Sequence, residues 1–211
     1  MKRIVFALLV MLMLVAFSAD NFGELNFKTG LHFAGKIDIK TNDKSIMADH
    51  VSRYSNTGIA FTGEYLLPCE YFCKTLNNFK IGAGFSYIFP EKLLKKEVGI
   101  VSLFFSCAPI YFTVQANPLK KLSGLFVKGN VGYNALFDIT ASILGREVKD
   151  SNKGGVYYGF SSGYEFSKGF IVDLGYNIYK GVEKVVVDTT ENEIEIDYTH
   201  SGVTFNCGYK F

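Results

Sequence analysis

Tryptophan is absent from the 211 residues, histidine occurs three times (His32, His50, His200) and cysteine four times. Beyond the first twenty residues no apolar run approaches the roughly 20 residues of a membrane-spanning helix, so that part could cross a membrane only as strands. An excess of charge of one sign is missing too: 22 cations face 20 acids, which removes the basic footprint of a nucleic-acid binder. The pair Cys69 and Cys73 has no second pair or histidine nearby to complete a zinc site, so neither metal nor cofactor is expected. Helical periodicity is nearly absent, and there is no internal repeat or low-complexity segment.

The first residues read MKRIVFALLVMLMLVAFSAD, with Lys2 and Arg3 ahead of an apolar run from Ile4 to Phe17 and small residues after it. This is the pattern of a secretory signal peptide, residues 1–19, rather than of a retained anchor helix. Its removal takes away two cations and no acid, leaving 20 against 20. Residues 20–211 suit one domain. In an oxidising compartment Cys69 and Cys73, in PCEYFC, are a candidate local disulfide, whereas Cys107 and Cys207 sit in strand-like runs and read as small apolar residues.

What is present is alternation with a period of two. Leu25, Phe27, Leu31, Phe33, Ile37 and Ile39 share one face, with Asn26, Lys28, His32, Lys36, Asp38 and Lys40 on the other. The pattern recurs in runs around 58–67, 79–87, 98–115, 127–134, 155–166, 170–177 and 194–211. Pro109 falls inside the fourth run and predicts a bulge there. Links near 41–56, 138–153 and 188–193 are long and polar, one near 90–97 is shorter, and those near 118–123 and 167–169 are tight. These features predict an all-β fold, an eight-stranded antiparallel up-and-down barrel with both termini at the short-turn end.

Alternation does not say which face is inside; residue size does. An eight-stranded barrel has room inside only for its own side chains. The polar face is also the small face (Gly82, Gly84, Gly132, Gly159, Gly163, Gly175, Gly202, Gly208), while the apolar face carries Phe and Tyr. The rings are therefore expected outside, in lipid, which makes this a transmembrane barrel. The lumen would then hold Lys28, His32, Glu64, Lys80, Lys128, Glu165, Asp173 and Lys210, read as a salt-bridged plug or, alternatively, as an ion path.

With its leader, its alternating strands and its ending TFNCGYKF, the chain resembles the small outer-membrane β-barrels of Gram-negative bacteria, the group of OmpA-like, OmpX-like and OmpW-like barrels. The resemblance implies a place in the bacterial outer membrane, with outer-membrane lipid and lipopolysaccharide as surroundings. It also implies that Phe205, Tyr209 and Phe211 serve as a recognition signal for the barrel-assembly machinery. Without tryptophan, the interfacial belts are expected to be built from Tyr and Phe.

Alternation also persists far beyond the membrane length, from about 25 to 40, 170 to 187 and 194 to 211. These stretches predict a protruding ribbon in which Lys36 and Lys40 approach Glu195 and Asp197, offered as a surface for a host or cell-surface partner. Function is thus read as structural or adhesive. A conduit for small solutes or hydrophobic compounds is the alternative. A lipid A-modifying hydrolase is disfavoured because His200 and Ser201, adjacent in a strand, face opposite sides.

Overall fold

The computed structural model describes residues 23–41, 51–54, 57–92, 101–119, 122, 124–143, 146–147, 151–187 and 192–211. The predicted leader and His50 lie outside the described residues. Ten strands form one antiparallel sheet: β1 (Glu24–Thr41), β2 (Val51–Tyr54), β3 (Gly58–Pro68), β4 (Phe79–Lys92), β5 (Val101–Ala116), β6 (Leu125–Ile143), β7 (Arg146–Glu147), β8 (Ser151–Glu165), β9 (Phe170–Val187) and β10 (Asn192–Lys210). Eight long strands run in the order β10, β9, β8, β6, β5, β4, β3, β1, and β10 pairs with β1 to close the barrel. Closure leaves no open edge within this ladder, which matters in lipid because an unpaired backbone group there costs several kcal/mol, or roughly as much as several ordinary hydrogen bonds.

The closing seam extends to Phe211, whose amide and carbonyl pair with Leu25 at 2.9 and 3.3 Å. At the same end, β8 turns into β9 through Phe166 to Gly169, where the Gly169 amide donates to the Phe166 carbonyl. Gly169 has φ of 81°, a left-handed conformation that disfavours any side chain. The β3–β4 connection carries two 3-10 turns, Cys69–Tyr71 and Lys74–Leu76.

Outward residues are mostly apolar along the middle of the long strands; on β9 they run from Phe170 to Ile178, about nine positions, close to the ~9–11 residues of a tilted membrane strand. Lys180 follows immediately on β9 and is exposed. Aromatic pairs edge this band: Phe27 with Phe211, Tyr209 with Phe211 and Tyr164 with Phe166 at the short-turn end, Phe61 and Tyr87 with Phe89 nearer the other. The belts are thus Tyr and Phe, as the composition requires.

Four expectations need correction. Residues 138–143 and 151–153, read as loop from their polarity, are strand, with Ser106 opposite Asp138 and Val101 opposite Ile143. A bulge does occur at Pro109, but the extra residue, Ala135, is on the facing strand. The alternation of β1 does not run unbroken to Lys40, because the register slips between Phe33 and Lys36. Lys40 therefore stands opposite Asp197, Lys36 opposite Ser201, and Glu195 opposite Lys184 of β9 instead of near Lys36. The strands with long extensions are also not three alone, since β6 has 19 residues and β5 has 16.

Beyond the apolar band the wall divides. The β6–β8 ladder stops at Tyr133 opposite Val156, and β3 stops at Gly58, opposite His32. Further out, among the described residues, pairing continues only within two ribbons, β8-β9-β10-β1-β2 and β4-β5-β6-β7. Two side chains of β6 reach across the division: Tyr133 Oη donates to the Gly154 carbonyl and Asn134 Nδ2 to the Lys180 carbonyl, each at 2.8 Å.

Candidate functional site

The charged residues expected in the lumen separate into tiers. At the short-turn end, Lys80 bonds Glu24 at 2.6 Å and lies 3.9 Å from Glu165, while Lys210 pairs with Glu165 and with Glu24 at 3.7 Å. Glu24 completes this ring and was not singled out from the sequence, because it opens β1 beside the expected leader. These groups keep contact with water; the Glu24 side chain is 24% exposed. Next come the buried apolar side chains Leu66, Phe126 and Ile171.

Deeper lies the second ionic group. Lys28 Nζ sits 2.9 Å from Glu64 and 2.8 Å from Asp173, and Lys128 Nζ is 2.6 Å from Glu64. Tyr111 donates to the other oxygen of Glu64 at 3.0 Å, and Asn206 donates to Asp173 at 2.6 Å. The Lys128 ammonium also lies 5.3 Å from the Phe126 ring centre. Two cations and two carboxylates, side chains 1–3% exposed, so neutralise one another with their remaining oxygens hydrogen-bonded, as burial of charge demands.

Above this group stand rings. Tyr111 and Tyr157 have centroids 5.3 Å apart, Tyr157 and Tyr179 5.2 Å, and Tyr179 meets His200 at 5.8 Å and His32 at 5.9 Å. His32 and His200 stack at 5.0 Å with planes 21° apart. Tyr157 donates to Asn177, and Asn177 to Thr204. His32 thus belongs with the rings and not with the charges. His200 faces the lumen and is buried, while Ser201 is on the other face.

Tyr157, Tyr179 and the lumen side of His200 were missed in the sequence. Their signal was there: each falls on the glycine parity of its strand, and two of the lumen tyrosines face glycines on neighbouring strands. Tyr111 stands opposite Gly84 and Gly132, and Tyr157 opposite Gly132. A methyl group on Gly84 would lie 2.6 Å from the Tyr111 ring. The lumen glycines are seats for rings as well as marks of a narrow interior.

A cavity of about 30 Å3 lies between Lys28, Glu64, Asp173, Tyr157 and Asn177, enough for about two waters. Among the described residues no cluster of three or more metal-ligating side chains occurs.

Cys69 and Cys73, the candidate disulfide, stand as free thiols in this structure, the first buried and the second exposed. Their backbones meet, the Cys73 amide donating to the Cys69 carbonyl, but the side chains part in exposure. Thr75 holds the Cys73 thiol below its ordinary range through its hydroxyl, 2.9 Å from Sγ. In the folded barrel a charged maleimide is expected to label Cys73 and to spare Cys107, which is fully buried, until denaturant is added; peptide mass spectrometry reads this, and an unlabelled Cys73 would restore the bridge.

Three solved structures share this architecture. The attachment invasion locus protein Ail of Yersinia pestis is 12% identical with a TM-score of 0.50, the match covering 90% of this chain and 99% of that one. The outer membrane protein OprG of Pseudomonas aeruginosa is 12% identical with a TM-score of 0.50, covering 90% and 96%. The outer membrane protein AlkL, solved in lipid bilayers, is 13% identical with a TM-score of 0.50, covering 88% and 90%. No protein-family model matches the chain, and no curated protein is similar to it in sequence. Strand number, closure and these likenesses agree: the chain has the fold of the small eight-stranded outer-membrane β-barrels.

Proposed function

We propose that the protein is exported through its leader, residues 1–19, and resides in the bacterial outer membrane as a non-enzymatic barrel whose lumen is filled. Its work is structural or a matter of surface contact, and the observation that carries this reading is the lumen itself. Two ionic tiers, an apolar layer and a stack of rings occupy the axis among the described residues, and the cavity beside the inner ionic group has room for about two waters. Single-channel recording of the refolded barrel at neutral pH is expected to show no steady open current; a persistent open level would favour a conduit for small solutes instead.

Contact is assigned to the ribbon of β9, β10 and β1, where Lys40 faces Asp197 and Lys184 faces Glu195 in register. Outer-membrane lipid and lipopolysaccharide surround the apolar band, and a host or cell-surface partner meets the ribbon. The attachment invasion locus protein is a contact protein by its name, but the reading rests on this chain's own lumen and ribbon. Cells displaying the full chain are expected to bind a host-cell monolayer and to lose that binding when residues 183–196 are replaced by a tight turn; unchanged adhesion would remove the ribbon from the account.

Phe205, Tyr209 and Phe211 face outward on the closing strand and are proposed as the segment read by the barrel-assembly machinery. The separation of His200 and Ser201 onto opposite faces supports a role without hydrolysis, since the two cannot share a proton.

A further inference from the structure

Two imidazoles buried face to face are unusual company, since both can take up a proton in the mildly acidic range. His32 and His200 are 0% and 1% exposed, and their ring centres are 5.0 Å apart. Neither ring nitrogen of His32 has a hydrogen-bond partner of normal geometry among the described residues. Gly202 seats His32, a methyl group there falling 2.9 Å from His32 Nε2. The pair lies where the wall divides, as His32 is the last β1 residue paired with β3 and the β1 bulge follows Phe33.

We propose that this pair is an acid-operated latch on the filled lumen: protonation separates His32 and His200, loosens the ring stack below them, and opens the barrel to small solutes. The inference rests on the filled-lumen reading above. Two imidazolium ions about 5 Å apart repel, and burial deprives both of solvation. For His32 the described surroundings offer little compensation. On β9 the pair meets Tyr179, with Tyr157 of β8 beyond it and Lys28, Glu64, Lys128 and Asp173 deeper, these last already paired among themselves. On β10 Asp197 is exposed, three residues beyond His200. Asp38 of β1 stands opposite Thr199 in register, and Arg53 of β2 opposite Ile37. β3 brings Gly58 and Ala60, while the buried residues at the corresponding end of β4, β5 and β6 are Ile88, Cys107 and Asn134.

Movement at this height has a route. The two ribbons beyond the pair share no ladder among the described residues, and the Tyr133 and Asn134 hydrogen bonds span them. An open state that takes up one proton with a preference of one pKa unit gains about tenfold in population per histidine.

The test is solute-driven swelling and single-channel current of the refolded full chain in vesicles at about pH 7.5 and about pH 4.5, bracketing the ordinary histidine value of about 6.5. The unaltered chain is expected to be closed at the first and at least about tenfold more permeable at the second. The double variant His32→Phe and His200→Phe keeps rings in the stack but has nothing to protonate, and is expected to stay closed at both. Should it fail to refold, judged by its heat-dependent gel mobility, His200→Asn alone is expected to lose most of the acid response. Closed traces at both pH values for the unaltered chain, or an acid rise that survives in the variants, overturn the latch and leave the filled lumen standing. A steady open current at pH 7.5 overturns the filled lumen, and the latch with it.

Discussion

Glu64→Gln is expected to lower the unfolding free energy of the refolded barrel by about 3–5 kcal/mol, the usual cost of removing one partner from a buried charge pair. The substitution keeps shape, and the Tyr111 hydroxyl, now bonded to Glu64 at 3.0 Å, retains an acceptor. What changes is charge. Lys28 keeps Asp173 at 2.8 Å, but Glu64 is the carboxylate within ion-pair distance of Lys128 among the described residues, so the variant strands a buried ammonium. Adding Lys128→Met should therefore restore part of the loss, because an uncharged pair of similar volume avoids the desolvation cost. Glu24→Gln is the control. Its ring at the short-turn end touches water, with side chains 17–25% exposed, and the expected cost is below about 1 kcal/mol. Denaturant titrations in lipid vesicles compare all three, and equal costs for Glu64→Gln and Glu24→Gln would show that the inner group is hydrated rather than sealed.

This contrast marks the boundary of what residues could say before the fold was known. Parity along a strand is local, so the lumen side of Lys28, Glu64, Lys128 and Asp173 was legible, and residue size then settled that the rings of the opposite face meet lipid. Partnership is not local. Lys28 and Asp173 are 145 positions apart, and only the closure of β10 on β1 and the stagger of the strands decide that they meet while Lys80 and Lys210 form a separate ring. Bulges defeat parity outright: the slip after Phe33 shifts β1 by one place, so that Lys36 stands opposite Ser201 and Lys40 opposite Asp197, and nothing in the local sequence GKIDIK announces it. The rings of Tyr157 and Tyr179 were overlooked for another reason. An aromatic residue in a row of glycines looks like an exception to the row, yet the glycines exist in part because the rings need them. At the ribbons the error ran the other way, since polar residues such as Asp138 and Thr140 read as loop but continue the β5–β6 ladder.

Sidedness itself yields the second large effect, and it is best read as a profile along one strand. On β9 the outward positions from Phe170 to Ile178 cross the apolar band, with Leu174 midway and 56% exposed. Leu174→Arg is expected to cost about 2–4 kcal/mol in vesicles, the penalty for a cation on the lipid face at the bilayer midplane. At the band's edges the long side chain reaches headgroups and water, so Phe170→Arg and Ile178→Arg should each cost at most about 1 kcal/mol. An inverted barrel, with the apolar face packed inside and water outside, predicts a different shape. There an arginine is buried at every one of these positions, the cost is large throughout, and it persists in plain buffer without lipid. The lumen of this barrel has no such uniform apolar filling; Asp173, adjacent to Leu174, is held there by Lys28 and Asn206. A peaked profile centred on Leu174 thus follows from lipid outside and charges on the axis, whereas a flat one would invert the barrel and with it the plug, the ribbon and the latch.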